Sequence, residues 1–301
     1  MCFNGFVFVL FLVVFSSFSS FTANASVAPS DATESFITNY LSGYSTPVLL
    51  SESSSVEREI EAFSKMNEIP LSDRDYFEMK KRLELLKSNR LSSVFSAVLN
   101  GQSFCFISIK KESIGYAFGD KKVFLDDEFA IIHELEHCVE WSRRLRQVDA
   151  PIDIDEPEGT IYREMYADVA ALFYLHLKST GHVTPDSVAF FRSLALRYNG
   201  DINHWTYLAL KAAKRKIDSG NLTKDNYRQE AMRIVSSTSK RYTQQIHQCI
   251  SKSLKHKNPS KLRAGLAWCD ADLGEQMLEI LDGIDQGNIN PKKIAFYMEV
   301  K

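Results

Sequence analysis

The first 25 residues contain no charged side chain, and no further apolar stretch of membrane-spanning length follows them. Residues 6–15 form an apolar run, and Ala23-Asn24-Ala25 then offers a small-residue cleavage site. This run is too short to span a bilayer comfortably, so residues 1–25 are predicted to be a secretory signal peptide, with an uncleaved anchor as the alternative. The mature chain is expected to be soluble and exported, either to the periplasm or out of the cell.

Cysteine is also scarce, with five residues in the whole sequence. Loss of Cys2 with the signal would leave an even number of cysteines, which in an exported protein indicates disulfide bonds. Four cysteines allow three connectivities. Pairing Cys249 with Cys269 would close a local loop, and pairing Cys105 with Cys138 would join a strand-like region to a helix.

The sequence has little net charge, −2 at neutral pH, but its distribution is uneven. Lys and Arg greatly outnumber Asp and Glu between Trp205 and Arg263. A basic face can meet anionic lipid, cell-wall polymer, nucleic acid or an acidic protein. The simpler interpretation is a set of solvated helix surfaces. No nucleic-acid-binding motif accompanies the charge, so no nucleic-acid partner is expected.

The chain has no internal repeat, and its segments differ in pattern. Residues 26–50 form a polar leader that is expected to be loosely ordered. Residues 51–200 are predicted to form a catalytic region, and residues 201–301 a helical C-terminal region punctuated by Gly220, Pro259 and Gly274. The expected fold class is α+β and dominated by helices.

Local signals place the elements of the catalytic region. Ser54-x-x-Glu57 predicts one helix by a capping box, Ser72 caps a second, and a third short helical stretch is expected to end near Asn100-Gly101. Residues 103–109, 114–118 and 123–125 are strand-like. A further helix is predicted between Thr184-Pro185 and Asn199-Gly200.

The strongest functional motif is the sequence His-Glu-Leu-Glu-His at residues 133–137. On a helix, His133 and His137 lie on one face and can bind one metal ion. Neutral imidazole suits Zn²⁺, which makes a bound water acidic, and Glu134 is placed to take the proton. Apolar residues recur at helical spacing around the motif, and Asp126 or Asp127 can cap the helix.

A second helical stretch, residues 160–173, offers the third protein ligand that catalytic zinc sites have. Glu164 is predicted to be this ligand. Asp168, one turn further along, is predicted to accept the other ring N–H of a zinc-binding histidine, and His133 is the favoured one. The alternative is that both are solvated acids on an exposed face. Acids inside an apolar stretch need partners, which favours the site.

Taken together, His133-Glu134-x-x-His137 and Glu164-x-x-x-Asp168 resemble the gluzincin branch of the zincin metallopeptidases. The resemblance covers about residues 100–180. It implies zinc bound by His133, His137 and Glu164, with Glu134 as general base and Asp168 as the residue that orients a ligand. It also implies a zincin-like domain in which a small sheet lies beside the active-site helix. The spacing is also similar to that of compact repressor-cleaving metallopeptidases, whose intracellular substrate does not suit an exported chain.

One downstream histidine is a further candidate. Peptidases of this class often use a later His, Tyr or Arg to stabilise the oxyanion of the tetrahedral intermediate, and His204 can serve this purpose. Asp201, three residues earlier, can orient it. A histidine beside a tryptophan at the start of a helix is more often structural, which is the alternative for His204.

The sequence therefore predicts an exported zinc metallopeptidase acting on a peptide or protein substrate. Two alternatives stay open. The motif can belong to a structural or catalytically inactive zinc-binding interaction protein, although an intact Glu134 argues against the inactive form. The chain can also be a zinc amidase that acts on cell-wall peptides.

Overall fold

The computed structural model describes residues 36–37, 39–41, 48–50, 55–66, 68, 70–88, 93–99, 102–108, 115–118, 121–124, 126–146, 157–178, 182–256 and 258–286. The predicted signal peptide, residues 1–25, lies outside this part of the chain. Within it, none of the helices combines the length and the apolar character that a membrane crossing requires. The chain divides into two compact units, residues 1–114 with 130–150 and residues 115–129 with 151–301.

The first unit contains a three-stranded sheet and the helices that cover it. Its elements are β1 (Val48–Leu50), α1 (Val56–Met66), α2 (Asp73–Ser88), β2 (Ser93–Leu99), β3 (Gln102–Ser108) and most of α3 (Asp127–Arg146). Strand β3 is central, parallel to β1 and antiparallel to β2.

Strand β3 separates two hydrophobic clusters because successive side chains of a strand point to opposite faces. Phe106 packs with residues of α1 and α2, and its ring centroid lies 5.4 Å from that of Phe63. On the other face, Cys105 and Ile107 pack against α3 and against Ile37 and Leu41 of the helical residues 36–37 and 39–41. The sheet therefore holds α3 from one side.

The second unit is built almost entirely from helices. It contains the antiparallel pair β4 (Gly115–Phe118) and β5 (Lys121–Phe124). The helices are α4 (Pro157–Lys178), α5 (Pro185–Asn199), α6 (Tyr207–Asp218), α7 (Tyr227–Thr238), α8 (Gln244–Leu254), α9 (Pro259–Cys269) and α10 (Ala271–Asp285). Helix α4 contacts α6, α7 and α8, which makes it the central helix of this unit.

The prediction of a helix-dominated chain is confirmed for the described residues, and several local signals are confirmed with it. Ser72 caps α2 by accepting a hydrogen bond from the Asp75 amide at 3.2 Å. Thr184 forms a capping box at the start of α5, which ends at Gly200 in the left-handed conformation with φ 66°. These caps depend on residues that are adjacent in sequence, which is why sequence patterns find them. The predicted bounds 51–200 and 201–301 stay predictions.

Other local predictions are wrong. The helical stretch expected before Asn100-Gly101 is strand β2, in which Leu99 pairs with Gln102 of β3. An Asn-Gly dipeptide between two such strands is a strong hairpin signal, and the pairing with β3 overrides helix propensity. The helix predicted from Ser54-x-x-Glu57 is present as α1, and Ser55 Oγ accepts from the Arg58 amide at 3.3 Å, while Ser54 itself lies outside the described residues.

Two further predictions are wrong: that the whole leader is loosely ordered, and that Gly274 interrupts the C-terminal helices. Within the predicted leader, residues 36–37 and 39–41 are helical, and Ile37 and Leu41 are buried against α3. Gly274 lies inside α10 and does not interrupt it. A Cβ at Gly274 would lie 2.3 Å from the carbonyl oxygen of Leu266, so the close approach of α9 and α10 requires glycine.

Both disulfide bonds are present in the pairing that the sequence analysis described, Cys105–Cys138 and Cys249–Cys269. The first joins β3 to α3, and the second joins α8 to α9. We expect that protein beginning at Ser26, alkylated in denaturant without reductant, will show no modified cysteine by mass spectrometry. Because loss of a native disulfide typically costs about 2–5 kcal/mol, reduction should lower the melting temperature.

A double variant, Cys249→Ser with Cys269→Ser, serves as the matched control for this measurement. It removes the bridge that is remote in sequence from α3, so its melting temperature after reduction reports Cys105–Cys138 alone. Four alkylated thiols in protein recovered from an oxidising compartment would contradict the prediction.

Candidate metal centre

Helix α3 places His133 and His137 side by side, as their spacing predicted. Asp126 caps the helix by accepting from the Phe129 amide at 3.0 Å. The two Nε2 atoms lie 3.1 Å apart, and the ring planes are perpendicular at 89°. Both histidines are buried, with 5% of His133 and 7% of His137 exposed. Two ring nitrogens therefore converge on one point inside the protein.

The same helix carries buried carboxylates. Glu134 is 9% exposed, and Glu136 is fully buried. The hydroxyl of Tyr40 donates a hydrogen bond to Glu136. The hydroxyl of Tyr40 thus provides a hydrogen-bond partner for a buried acid inside the motif of residues 133–137. Sequence reasoning gave Tyr40 no role.

Helix α4 is buried on every side from Ile161 to Phe173. Glu164 is 2% exposed, and Asp168 has no exposed surface. The alternative of two solvated acids on an exposed face is therefore wrong. Charged groups at such depth require a compensating charge or hydrogen bonds, because desolvation strongly penalises an isolated carboxylate.

The ligand atoms of His133, His137 and Glu164 all lie within 4.8 Å of one another. All three residues are buried, and the group can bind a metal ion. Within the described residues no other such group is found. Cys138, beside His137, is engaged in its disulfide and is not a candidate ligand. The roles predicted for these residues stay predictions.

Asp168 forms a buried ion pair that sequence reasoning missed. Its Oδ1 accepts from Arg192 Nη2 at 2.6 Å, and its Oδ2 accepts from Arg192 Nε at 3.0 Å. The hydroxyl of Thr206 donates to the same Oδ2 at 2.5 Å. Arg192 lies among apolar residues of α5, and a charged residue in such a stretch is a signal that a buried partner exists. The predicted bond between Asp168 and His133 stays a prediction.

His204 lies between two carboxylates. Its Nδ1 is 2.7 Å from Asp201 Oδ2, and its Nε2 is 3.3 Å from Glu164 Oε2. Burial opposes the charged imidazole and lowers the pKa of His204, but the carboxylates of Glu164 and Asp201 outweigh it, so the pKa is raised above its ordinary value. The orienting contact expected from Asp201 is present, and His204 lies against a predicted metal ligand.

The basic region between Trp205 and Arg263 contains several ion pairs. Lys216 lies 3.3 Å from Glu230, and Arg241 lies 2.9 Å from Asp270. Arg263 pairs with Asp282. Part of the positive charge is thus balanced by acids of the same chain. Contact of this region with an anionic surface stays a prediction.

No model of a known protein family matches the sequence, and neither the curated proteins nor the solved structures give a significant match to it.

Proposed function

We propose that this protein is an exported zinc metallopeptidase that hydrolyses peptide bonds. The observation that carries the proposal is the buried group formed by His133, His137 and Glu164, with Glu134 next to the first ligand. Two imidazoles and a carboxylate are a ligand set of catalytic zinc sites, which keep the fourth position for water or substrate. The motif on α3 adds the general base that such a site needs.

The donor atoms suit zinc in type and in spacing. Two zinc–nitrogen bonds of about 2.0–2.1 Å that meet at a tetrahedral angle separate their nitrogens by roughly 3.3 Å. The separation between the two Nε2 atoms is 3.1 Å. Metal binding would also remove a repulsion, because the lone pairs of two ring nitrogens at this distance repel unless a proton or a metal ion lies between them.

Each residue then has a defined task. Bound zinc supplies a Lewis acid that polarises the scissile carbonyl and makes water acidic. His133 and His137 bind the metal as neutral imidazoles, and Glu164 contributes the negative charge. The carboxylate of Glu134 takes a proton from the attacking water and then passes it to the leaving amine. Glu134 is mostly buried, so its carboxylate is shielded from most bulk water.

The proposal includes the zincin-like α+β fold with a small sheet beside the active-site helix. Its support is the packing of β3 against α3, where Cys105 is bonded to Cys138 and Ile107 lies in the same cluster as Leu135. Export is supported by the apolar N-terminal run and by the two disulfides, which form and persist in oxidising compartments.

The test is the metal content of the purified protein. Wild type should bind about one zinc ion per chain, and His137→Ala should lose most of it, because two ligands do not hold a catalytic zinc ion firmly. Zinc is measured by plasma emission spectroscopy after gel filtration. His176→Ala is the matched control, because His176 is exposed on α4 and should keep wild-type zinc.

Cleavage of a mixed peptide library by the same three proteins tests the reaction. Wild type and His176→Ala should produce new amino termini, and His137→Ala should not. Full zinc occupancy in His137→Ala would refute the ligand assignment. Zinc binding by wild type without any hydrolysis would favour the structural alternative.

A further inference from the structure

The segment between α5 and α6, residues 200–206, contacts the two acids of α4 that lie one helical turn apart. His204 lies against Glu164, and Thr206 donates to Asp168. Residues four apart on a helix share one face, so a single connecting segment can reach both. The segment that donates a hydrogen bond to Asp168 therefore also contacts Glu164, the candidate metal ligand of α4.

The imidazole of His204 has a carboxylate close to each of its two ring nitrogens. Asp201 Oδ2 lies 2.7 Å from Nδ1, and Asp201 Oδ1 accepts from the backbone amide of His204 at 3.4 Å. On the other side of the ring, Nε2 lies 3.3 Å from Glu164 Oε2, so the imidazole stands between the two carboxylates. His204 is 7% exposed and Glu164 is 2% exposed, so this contact is shielded from water.

The contact has a clear physical purpose at a metal site. A carboxylate ligand has two oxygens, and the orientation of its plane decides which oxygen reaches the metal. A hydrogen bond to the ligand from a fixed neighbouring group sets that orientation before the metal arrives. A buried carboxylate that rotates freely would lose part of the binding energy to ordering.

We propose that His204 is a positioning residue that holds the Glu164 carboxylate for the metal, and that Asp201 fixes the imidazole for this purpose. The inference rests on the proposed function, because it assumes that Glu164 is a metal ligand. It differs from the role in oxyanion stabilisation expected from the sequence. In that role His204 would act on the substrate, and zinc affinity would not depend on it.

Zinc affinity separates the two roles. Zinc titrations in competition with a chromophoric chelator should show about 10–100-fold weaker binding for His204→Ala than for wild type. His204→Gln keeps a hydrogen-bond donor that can reach Glu164, so it should lose less zinc affinity than His204→Ala. Asp201→Asn should weaken binding in the same direction. His256→Ala, at an exposed histidine after α8, should match wild type.

A double-variant comparison shows whether the effect passes through Glu164. In a Glu164→Ala background, His204→Ala should cause no further loss of zinc affinity, because the group that His204 holds is gone. Circular dichroism melting curves of each variant establish that it is folded at the temperature of the titration.

Two results would overturn the inference. One is unchanged zinc affinity in folded His204→Ala, and the other is an equal loss in the wild-type and Glu164→Ala backgrounds. Failure of the proposed function is a different result, since wild type would then bind no zinc that depends on His137. If zinc binding depends on His137 but not on His204, only the positioning role fails.

Discussion

Glu134→Gln should keep its zinc and its fold while peptide hydrolysis falls by at least about a hundredfold. Glutamine has the shape of glutamate but cannot accept a proton, so the change removes the base and leaves the space filled. The residue adjoins His133 on α3 and is 9% exposed. Zinc content and the rate of peptide cleavage are measured on the same preparation.

The matched control is Glu128→Gln, the same chemical change in the first turn of the same helix. Glu128 pairs with Lys178 at 2.6 Å, with both side chains partly exposed, and such a pair contributes little to stability. Its hydrolysis rate should stay near that of wild type. Loss of zinc from Glu134→Gln would make Glu134 a ligand, and unchanged hydrolysis would place the reaction elsewhere.

The same pair of proteins can identify the substrate. An exported proteome treated with wild type or with Glu134→Gln and then analysed for new amino termini should show cleavages with wild type alone. Sequences around those termini would define the cleavage preference of the proposed peptidase. Cleavage restricted to cell-wall peptides would favour the amidase alternative over a protein substrate.

The local features of this fold were predictable from sequence. Capping by Ser72, Asp126 and Thr184 depends on groups within three residues of each cap, and the histidine pair depends on helix periodicity alone. Glu164 was found because an acid in an apolar stretch requires a partner. The caps and the histidine pair use short-range geometry, whereas the meeting of Glu164 with the two histidines depends on how the chain packs.

The partners of those residues were not predictable. Arg192 is 24 positions from Asp168, and Thr206 is 38 positions away, so their contacts depend on how α4 packs with α5 and with the segment before α6. Strand β2 was missed for a different reason: the sequence carries an Asn100-Gly101 hairpin signal, and the pairing of β2 with β3 outweighs the local helix propensity. The apolar pattern indicates that such residues are buried, but it does not specify the groups that they meet.

Asp168→Asn should lower the free energy of unfolding by about 3–5 kcal/mol. The pair it forms with Arg192 is bidentate and almost fully buried, with side-chain exposures of 5% for Arg192 and 0% for Asp168. Removal of the carboxylate charge leaves the buried guanidinium without its bidentate partner, and the more distant charges of Glu164 and Asp201 replace that partner only in part. Urea unfolding followed by circular dichroism measures the loss.

Thr206→Val is the matched control at the same carboxylate. Valine keeps the shape of threonine and removes only the hydroxyl that donates to Asp168, so the expected loss is about 1 kcal/mol. The double variant Asp168→Leu with Arg192→Met removes both charges together. It should be more stable than Asp168→Asn, because neither variant residue leaves a buried charge behind.

Zinc affinity of the folded Asp168→Asn protein then decides whether Asp168 has a second task. A loss of about 10–100-fold is expected if Asp168 also accepts the ring N–H of His133. Thr206→Val should leave the affinity unchanged, because it keeps the carboxylate. A destabilised variant with wild-type zinc affinity would restrict Asp168 to anchoring α4 through Arg192. A cost below about 1 kcal/mol would instead mean that the Asp168–Arg192 pair does not stabilise this unit.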